Sequence, residues 1–574
     1  MEIHNSNSVD VVISGLGPTG LTLAHLLGKR GISVVVLERE PRFYGNARAV
    51  YTDDECMRIF QAAGMADELA KDMLQDAIFQ WVLPDGRVLN QLIQKERPYG
   101  WPANNLFYQP YLETSMADAL GRYPNVSARR GRELTRFTQD DGGVSVFHVP
   151  SQGAQFGRQA PAAGVTPEPQ EGEETIRASY LVACDGGRSV VRAQLGISMT
   201  GKSFPNPWIV VDIRERDGQD CLRHLPYFNF VCDPGCPTVS CRQPKGHHRF
   251  EFMLMPGQTR EYMEDPATVR QLLSRYVDVD KVEVLRSLVY TFNALVAEQW
   301  RDGRVFLAGD AAHMTPQFVG QGMNAGVRDA YNLAWKLAAV LQCRGTDALL
   351  DTYQTERRPH ARAMIDTSIR MKNYVSVANP ALSGLRNLAT RVARITPGLR
   401  EYFSKAKFKP RPRYPDGQYF GCPRRRRSGP EGEQIPQPAV MGRDGRRQLL
   451  DEVLGEGYGV IGFGVDPRTH LSPAELATLA SLDARCVTLF PLGGRPQGFE
   501  AVRSAPEGLP ELEDCTGELT AWLKKAGMHQ GAVAVIRPDR FAYALVGTDE
   551  LPQTVRQLAD QLGLAAGRAD RLAA

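Results

Sequence analysis

Three short segments contain residue types and spacings that suit the binding of an extended nucleotide. The first is Gly15-Leu-Gly17-Pro-Thr-Gly20, which follows a short apolar run at residues 9–14. In such a unit the first glycine permits a tight turn, the second lets the backbone approach a pyrophosphate, and the third lets the next helix pack close to the strand. Residues 22–29 have the pattern of that helix, and its N-terminal amides would point at the phosphates. The segment predicts a dinucleotide-binding fold.

The residue that ends the second predicted strand narrows the choice of nucleotide. Residues 32–37 are rich in β-branched side chains, and Glu38 follows them. A carboxylate about 20 positions after the glycines suits a ribose hydroxyl and would repel the 2′-phosphate of NADP. A second GxGxxG, at residues 457–462, lacks this context, because a predicted helix precedes it and a predicted strand runs through it. We therefore interpret the second motif as structural.

Two further segments place carboxylates where nucleotide hydroxyls could reach them. One is Asp185-Gly-x-x-Ser-x-x-Arg192, after an apolar strand; in the other a strand emerges at Gly309-Asp310 and a glycine-rich loop leads into a helix at residues 325–341. Asp310 could accept from ribityl or ribose hydroxyls. The amides of residues 320–324, at a helix N-terminus, could stabilise negative charge on a reduced isoalloxazine. A cofactor contacted at three remote places needs more than one mononucleotide fold, which points to FAD.

Composition excludes several classes of protein. The chain has 574 residues, 43% hydrophobic and 23% charged, which suits about two to four domains. With 68 basic and 65 acidic residues, it lacks the excess positive charge of a nucleic-acid binder. No apolar window reaches the roughly 18 residues of a membrane span, and the N-terminus lacks a signal pattern. We expect a cytoplasmic protein with no nucleic-acid or membrane partner. We also expect no metal site, because the only cysteine cluster (Cys232, Cys236, Cys241) lacks a second ligand pair.

The predicted elements divide the chain into five parts. Residues 1–192 alternate strand and helix, residues 193–295 contain a mostly antiparallel sheet, and residues 296–404 return to strand, loop and long helices. Residues 405–432 are a basic, Pro/Gly-rich linker, and residues 433–574 a small α/β domain. Residues 151–174 are expected to be an exposed loop between two paired strands. The expected class is α/β, with α+β character in the interleaved sheet domain.

The GxGxxG, DG and GD segments resemble the single-component flavoprotein aromatic hydroxylases, the family of para-hydroxybenzoate hydroxylase and phenol hydroxylase. Further stretches, among them RAVYTDDE, NNLFYQP, WIVVDI, FEFMLMPG and GQGMNAGVRDAYNLAWKL, are similar to one branch of that family, the 3-(3-hydroxyphenyl)propionate hydroxylases, across nearly the whole chain. The resemblance implies a Rossmann-like FAD-binding domain, a substrate-binding sheet domain and a C-terminal thioredoxin-like domain without redox activity.

The resemblance also implies the cofactors and the site residues. FAD would be bound non-covalently, and NADH or NADPH would be a transient reductant. The residues expected to bind FAD are Gly15, Gly17, Gly20, Glu38, Arg39, Arg48, Gln109, Asp185, Asp310, Gly322, Met323 and Asn324. The expected catalytic residues are Pro316, Gly320, Gln321 and Gly322, with Pro316 close to the reactive edge of the flavin.

The activity implied is an aromatic-ring monooxygenase in the catabolism of aromatic compounds. NAD(P)H would reduce FAD, O2 would form a flavin C4a-hydroperoxide, and the ring would be hydroxylated ortho to the phenol oxygen. The expected substrate is 3-(3-hydroxyphenyl)propionate or 3-hydroxycinnamate. A hydroxyquinoline, resorcinol or hydroxybenzoate is the alternative, and an FAD oxidase or dehydrogenase without oxygen transfer is a more distant one. The assembly is expected to be a monomer or a homodimer.

The sequence identifies no phenol-activating base and no residue that binds a substrate carboxylate. Arg242, Arg249, Tyr227 and His224 lie in the predicted sheet and are candidates only. His313 is expected to be a packed loop residue rather than a catalyst.

Overall fold

The computed structural model describes residues 8–43, 48–153, 163–204, 207–422, 429–496 and 510–564. Parts of the predicted exposed loop (154–162) and of the predicted linker (423–428) lie outside these ranges. The chain divides into two compact units. The first comprises the described residues of Met1–Glu96, Pro102–Ala330 and Ala361–Pro410, and the second those of Arg97–Trp101, Tyr331–His360 and Arg411–Ala574.

The first unit is built around a largely parallel sheet with a Val-rich centre. Its strands are fully buried there, as expected for a sheet covered on both faces. Two strands of an antiparallel hairpin, Arg132–Asp140 and Gly143–Pro150, extend it by pairing with Glu174–Ala183, which confirms the predicted pairing around the loop. The order of the main path is Arg301–Asp302, Val305–Leu307, Glu174–Ala183, Ser8–Ser14, Val34–Glu38 and Val126–Arg130.

The helices of this unit begin with recognisable signals. The first, Pro18–Lys29, has proline in its first turn, and Asp54–Ala62 is capped by Asp53, whose side chain accepts from the amide of Cys56. The two longest described helices, Gln321–Leu341 and Ala348–Val375, each have residues in both units. The remaining helices of the unit are Ala66–Ala70, Gln109–Ala119, Val190–Gln194, Arg260–Glu264, Pro266–Leu273, Pro380–Ile395 and Pro397–Ser404.

A seven-stranded sheet is the second large sheet of the first unit. The predicted strands around WIVVDI, RFEFMLM and SLVYTFN are neighbours in it and antiparallel, as expected. The sheet also recruits Phe79–Val82 and Val88–Leu92 from the first 192 residues, which the sequence did not suggest. Its order is Val282–Tyr290, Trp208–Glu215, His247–Met253, Thr238–Arg242, Phe228–Val231, Phe79–Val82 and Val88–Leu92.

The two faces of this sheet bury different side chains. Along His247–Met253, Phe250 and Phe252 pack with the helices Arg260–Glu264 and Pro266–Leu273. The alternate residue Met253 faces an aromatic cluster that contains Phe318. Because side chains alternate along a strand, Arg249 and Glu251 share the face of Met253.

Two small sheets complete the first unit. One contains Met199–Ser203, Asn293–Ala297 and His313–Met314, and the other contains Tyr51–Thr52, Asn105–Phe107 and Met73–Leu74. Short 3-10 turns lie at Leu120–Arg122, Gly309–Ala311 and Gln317–Val319. No helix in the described ranges combines the length and the apolar character needed to cross a lipid bilayer.

The second unit contains the predicted C-terminal α/β domain. Its sheet has the order Arg447–Leu449, Ala439–Met441, Glu511–Asp514, Arg485–Pro491, Gly459–Phe463, Ala532–Ile536 and Ala542–Gly547. The second GxGxxG has the local structure that its sequence predicted, because residues 459–463 are a strand and the short helix Leu450–Leu454 precedes them. The other helices are Pro473–Ser481, Glu518–Lys525 and Leu551–Gln561, with a 3-10 turn at Pro467–His470. The predicted fold class, including the thioredoxin-like domain, is confirmed.

Candidate active site

The first glycine loop has the close contacts that its sequence predicted. Gly15 has a φ of +102°, and a Cβ there would lie 2.4 Å from the carbonyl oxygen of Cys184. A Cβ on Gly20 would lie 2.0 Å from the carbonyl oxygen of Gly15, so only glycine lets the helix approach the strand. In contrast, a Cβ on Gly17 would meet no atom of the described residues within 4 Å. The loop is therefore tight against the protein at two glycines and open at the third.

Glu38 lies beside this loop, at the end of its strand. Its Oε2 accepts a hydrogen bond from the amide of Leu16 (2.8 Å), and its Oε1 accepts from the amide of Glu40 (2.9 Å). The carboxylate thus anchors the glycine loop, and its remaining lone pairs are available to a ribose hydroxyl. Arg39, predicted with it, has a half-exposed side chain 3.6 Å from Glu40.

The structure brings the three predicted motifs into contact. Gly15 of the first motif touches the strand end that carries Asp185, since its Cβ direction is blocked by Cys184. Thr19 of the first motif touches the third segment and its helix: a Cβ on Gly309 would lie 2.7 Å from the Oγ1 of Thr19, and a Cβ on Gly326 would lie 2.2 Å from the same atom. Segments about 300 residues apart in sequence therefore meet at one edge of the parallel sheet.

Only one of the two carboxylate oxygens of Asp185 accepts a hydrogen bond from the described residues. Its Oδ2 accepts from the amide of Val190 (3.0 Å), which caps the following turn. Its Oδ1 is buried and has no hydrogen-bond partner among the described residues. Burial raises the pKa of Asp185. A buried acceptor without a partner is costly, so this oxygen suits a ligand that donates a hydrogen bond.

Asp310 is half-buried in the 3-10 turn at Gly309–Ala311 and has no hydrogen-bond partner in the described part of the chain. The turn that carries it is held by Asp329, which sequence reasoning missed. Asp329 is fully buried, and its Oδ2 accepts from the amide of Gly309 (3.1 Å) and bonds Nε2 of His313 (2.6 Å). His313 is itself fully buried, as expected for a packed loop residue.

The Pro316–Asn324 loop turns its polar side chains into the protein. Gly320 has a φ of +61°, and a Cβ there would lie 2.6 Å from Cδ1 of Tyr51. Asn324 donates to the carbonyl oxygens of Gly320 (2.7 Å) and Tyr51 (3.3 Å) and accepts from Thr52 (2.9 Å). Ser368 donates to the carbonyl oxygen of Pro316 (2.5 Å).

Gln321 is fully buried, whereas Gly322 and Met323 are half-buried. The Gln321 amide donates to Asp53 (3.2 Å) and accepts from Arg328 (3.0 Å). The side chains of Gln321 and Asn324 therefore hold the loop, and what the loop offers to a ligand is its backbone at a helix N-terminus.

A buried ion cluster stands behind this loop, and it too was missed by sequence reasoning. Arg328 donates to Asp53 (2.5 Å) and Glu55 (2.7 Å), and Lys409 donates to Asp53 (2.8 Å). Burial opposes the charge of Asp53, but Arg328 and Lys409 outweigh it and hold the pKa of Asp53 well below its usual range. Burial, reinforced by neighbouring carboxylates, raises the pKa of Asp54 to about 7.

Gln109 and Arg48 are joined to each other. The Gln109 Oε1 accepts from the amides of Arg48 and Ala49, both at 2.6 Å, and its Nε2 donates to Glu113 (2.7 Å). Burial raises the pKa of Glu113 to about 7. The exposed Arg48 has its carbonyl oxygen bonded by Arg249 (2.7 Å). The amide of Gln109 is thus committed to protein groups, while the guanidinium of Arg48 lies on an accessible surface.

The inner face of the antiparallel sheet carries an aromatic cluster next to the Pro316–Asn324 loop. Phe318 of the loop packs edge-on against Trp208 (centroids 5.1 Å apart) and Phe292 (5.6 Å). The indole nitrogens of Trp81 and Trp208 are buried and have no hydrogen-bond partner among the described residues. The cluster, mainly aromatic, includes Tyr51, Phe79, Trp81, Trp208, Phe228, Phe230, Met253, Phe292, Phe318 and Val375.

Buried charges lie at the same face. Arg249 donates to both oxygens of Asp212 (2.7 and 3.2 Å), and Arg286 pairs with Asp212 at 2.6 Å. Glu251 accepts from the amide nitrogen of Gln317, one residue after Pro316. Burial raises the pKa of Glu251 to about 7. Glu251 is therefore a carboxyl group that changes its charge near neutral pH and touches the loop.

Of the four sheet residues that the sequence offered as substrate ligands, Arg249 is fully buried and paired as described. Arg242 lies over the ring of Tyr227, with 5.7 Å from its guanidinium carbon to the centroid. His224 is exposed. In the structure, the side chains of Arg242 and Tyr227 therefore contact each other, and His224 lies on the surface.

These observations fit FAD. The glycine loop is open where a pyrophosphate would approach, Asp185 has an oxygen without a partner, and the Asp310 carboxylate is available. Helix N-termini lie at both glycine loops. The chemistry of the residues present is that of a site for an extended, anionic nucleotide with several hydroxyl groups.

Comparison with known proteins gives the family. Residues 8–368 match the FAD binding domain family, and residues 432–561 match the HcaD C-terminal domain. The 3-(3-hydroxy-phenyl)propionate/3-hydroxycinnamic acid hydroxylases of Escherichia coli strain SMS-3-5 and of Shigella sonnei strain Ss046 are each 37% identical to the chain over 566 residues, covering 98% of it and 97% of the relative.

Solved structures have the same fold. The flavin-dependent monooxygenase PieE superposes with a TM-score of 0.76 at 20% identity, covering 96% of this chain and 99% of that one. Aklavinone-11 hydroxylase superposes with a TM-score of 0.73 at 24% identity, covering 97% and 100%. The chain therefore belongs to the FAD-dependent aromatic hydroxylases, and FAD is its cofactor.

Proposed function

We propose that this enzyme hydroxylates a phenol with a short carboxylate side chain, at the position ortho to the phenol oxygen, using O2 and NADH or NADPH. The favoured substrates are 3-(3-hydroxyphenyl)propionate and 3-hydroxycinnamate. One observation carries the choice of substrate: the 37% identity to hydroxylases of these acids extends over 98% of the chain. The aromatic cluster on the inner face of the sheet supports the proposal, because a phenolic ring packs well against aromatic side chains.

The residues of the glycine loops would hold the cofactor. The backbone at Gly15, Gly17 and Gly20 and the helix after them would receive the pyrophosphate, with Glu38 at a ribose. Arg39 and Arg48 add positive charge nearby. Asp185 and Asp310 would accept from cofactor hydroxyls, and Gln109 would keep Arg48 in place. When bound, FAD supplies the transfer of electrons from NAD(P)H and the activation of oxygen.

The residues of the Pro316–Asn324 loop would face the reactive ring. The backbone amides at Gly322, Met323 and Asn324 lie at the first turn of a 21-residue helix, where the helix dipole favours negative charge. Gly320 and Gln321 give the loop its path. Pro316 begins the loop, and Ser368 donates to its carbonyl oxygen. Phe318 and Trp208 would pack on the substrate side and exclude water from the site.

The activity test compares three related compounds. The acid, its neutral amide and its phenol methyl ether are supplied separately with NADH and with NADPH, and product formation is measured by mass with isotopically labelled O2. The acid should give a labelled catechol, the ether should react poorly because ring attack needs an electron-rich phenol, and the amide should react less efficiently. Hydrogen peroxide from the acid, together with stoichiometric product from a hydroxyquinoline, resorcinol or hydroxybenzoate, would contradict the substrate assignment. NADH consumption with no labelled product from any phenol would contradict the monooxygenase itself.

A further inference from the structure

The helix Pro380–Ile395 has its polarity reversed. A surface helix normally buries its apolar side chains and exposes its polar ones. Here Ser383 and Arg386 are buried, and Arg386 donates to the carbonyl oxygens of Tyr374 and Cys232, both at 3.1 Å. The opposite face exposes apolar side chains, with Leu385 63% and Ile395 80% exposed. A helix of this kind is bound to its own protein by polar contacts and presents an apolar face outward.

The apolar face continues into the next helix. It consists of the residues Leu382, Leu385, Leu388, Val392, Ile395, Leu399, Tyr402 and Phe403, each at least 37% exposed, which we name the apolar row. Their summed exposed surface is on the order of 700 Å², close to the roughly 800 Å² per partner of a standard protein interface. An exposed apolar area of this size on a single chain marks an interaction site rather than ordinary surface.

We propose that the apolar row is the dimer interface of this enzyme and that its occupant is the same row of a second copy. The spacing of the row fits an isologous, antiparallel pair of helices. Leu385 lies three residues before Leu388 and Val392 lies four residues after it, whereas Leu382 lies six before and Ile395 seven after. With Leu388 on the two-fold axis, Leu385 of one copy therefore faces Val392 of the other, and Leu382 faces Ile395.

The composition of the row is that of a protein interface. Between residues 380 and 403, the range that contains the row, the charged residues are four arginines and one glutamate, with no lysine or aspartate. Arginine and large apolar residues are enriched at interfaces, whereas lysine and acidic residues are depleted. Gly384 lies on the exposed face, and a Cβ there would meet no atom of the described residues within 4 Å. A small residue at that place lets a second helix approach closely.

The first test measures the mass of the FAD-loaded, full-length protein by light scattering after size exclusion, over a range of concentrations. The wild type should reach twice the 63.5 kDa of one chain. Leu385→Glu should remain at one chain while keeping wild-type FAD content and circular dichroism. Leu492→Glu is the matched control, because Leu492 is 61% exposed but lies outside the row. This variant should remain a dimer.

The second test does not depend on a disruptive substitution. Leu388→Cys, made in a Cys343→Ser background to remove an exposed thiol, should form an intermolecular disulfide on mild oxidation, whereas Leu492→Cys in that background should not. A wild type that stays a monomer at every concentration overturns the proposal, as does a Leu385→Glu variant that still dimerises. A monomer that sediments with vesicles of anionic phospholipid, and loses this binding in Leu385→Glu, would assign the row to a membrane surface and also overturn it.

Discussion

Replacing Asp310 by alanine should weaken FAD binding and leave the apoprotein as stable as before. The side chain is half-buried and makes no hydrogen bond to the described residues, so its removal breaks no contact within the protein. Substitutions of this kind change stability by about 0.5 kcal/mol or less. A hydrogen bond from a cofactor hydroxyl to a carboxylate contributes about 1.5–3 kcal/mol. The dissociation constant for FAD should therefore rise by roughly tenfold to a hundredfold.

Asp329→Ala provides the contrast, because Asp329 acts within the protein. It is fully buried and bonds both the amide of Gly309 and the ring of His313. Removing it leaves two buried groups without a partner, at about 1–3 kcal/mol each. This variant should lower the urea midpoint of the apoprotein as well as its affinity for FAD.

The assay titrates FAD into each apoprotein and follows the quenching of flavin fluorescence, with urea unfolding of the same samples monitored by circular dichroism. If Asp310→Ala binds FAD as tightly as wild type, Asp310 is no cofactor ligand. If it loses apoprotein stability to the same degree as Asp329→Ala, its role is structural and the reasoning from its missing partner is refuted.

Three further substitutions test the loop and the buried charges. Gly320→Ala should lower the urea midpoint of the apoprotein, because a left-handed alanine costs about 1–2 kcal/mol and its Cβ would meet Tyr51 at 2.6 Å. Glu251→Gln should gain stability relative to wild type as pH rises from about 4.5 to above 7, since the raised pKa of Glu251 means that the folded protein holds a proton which the unfolded chain has lost. Glu356→Leu should cost about 3–5 kcal/mol, because it leaves Lys336 buried without its carboxylate partner, and urea midpoints should show this.

Each of these substitutions has a matched control. Gly322→Ala should be mild, because its Cβ would meet only the carbonyl oxygen of Thr315, at 3.9 Å. The pH dependence should be unchanged by Glu283→Gln, an exposed residue of the same sheet. Lys336→Met should cost less than Glu356→Leu, since Arg537 still holds the Glu356 carboxylate. An equal loss of stability in Gly320→Ala and Gly322→Ala, or in Glu356→Leu and Lys336→Met, would contradict these explanations. So would a stability difference between Glu251→Gln and wild type that does not change with pH.

Local pattern was enough to predict the elements of the fold that we propose as the nucleotide site. The GxGxxG loop, the strand that ends at Glu38 and the turn at Asp310 each follow from a few neighbouring residues. The same holds for the strands and helices of the C-terminal domain, where hydrophobic periodicity and turn residues recur at short intervals. Such features depend on interactions within a dozen residues, and a single sequence contains them completely.

The contacts that support the site depend on residues far apart in sequence. Asp53 and Lys409 are separated by 356 positions, and Thr52 and Asn324 by 272. The strands Phe79–Val82 and Val88–Leu92 join a sheet whose other members begin more than a hundred residues later. In sequence a buried aspartate, lysine or glutamine has the same appearance as an exposed one, because only tertiary packing decides which of them lose water.

The Pro316–Asn324 loop shows that residue type alone is a limited guide to function, because tertiary packing decides which side chains a ligand can reach. Gln321 and Asn324 have side chains that could contact a ligand, but the sequence pattern assigned the chemistry to the amides of residues 320–324 and gave these side chains no role. In the structure both side chains are buried and bonded to the protein, so the surface that remains for a ligand is backbone. Backbone amides have fixed directions only if the loop is held from behind, and Arg328, Asp53 and Lys409 do this through Gln321. We therefore propose that the polar side chains of the loop act indirectly, by fixing the positions of the amides.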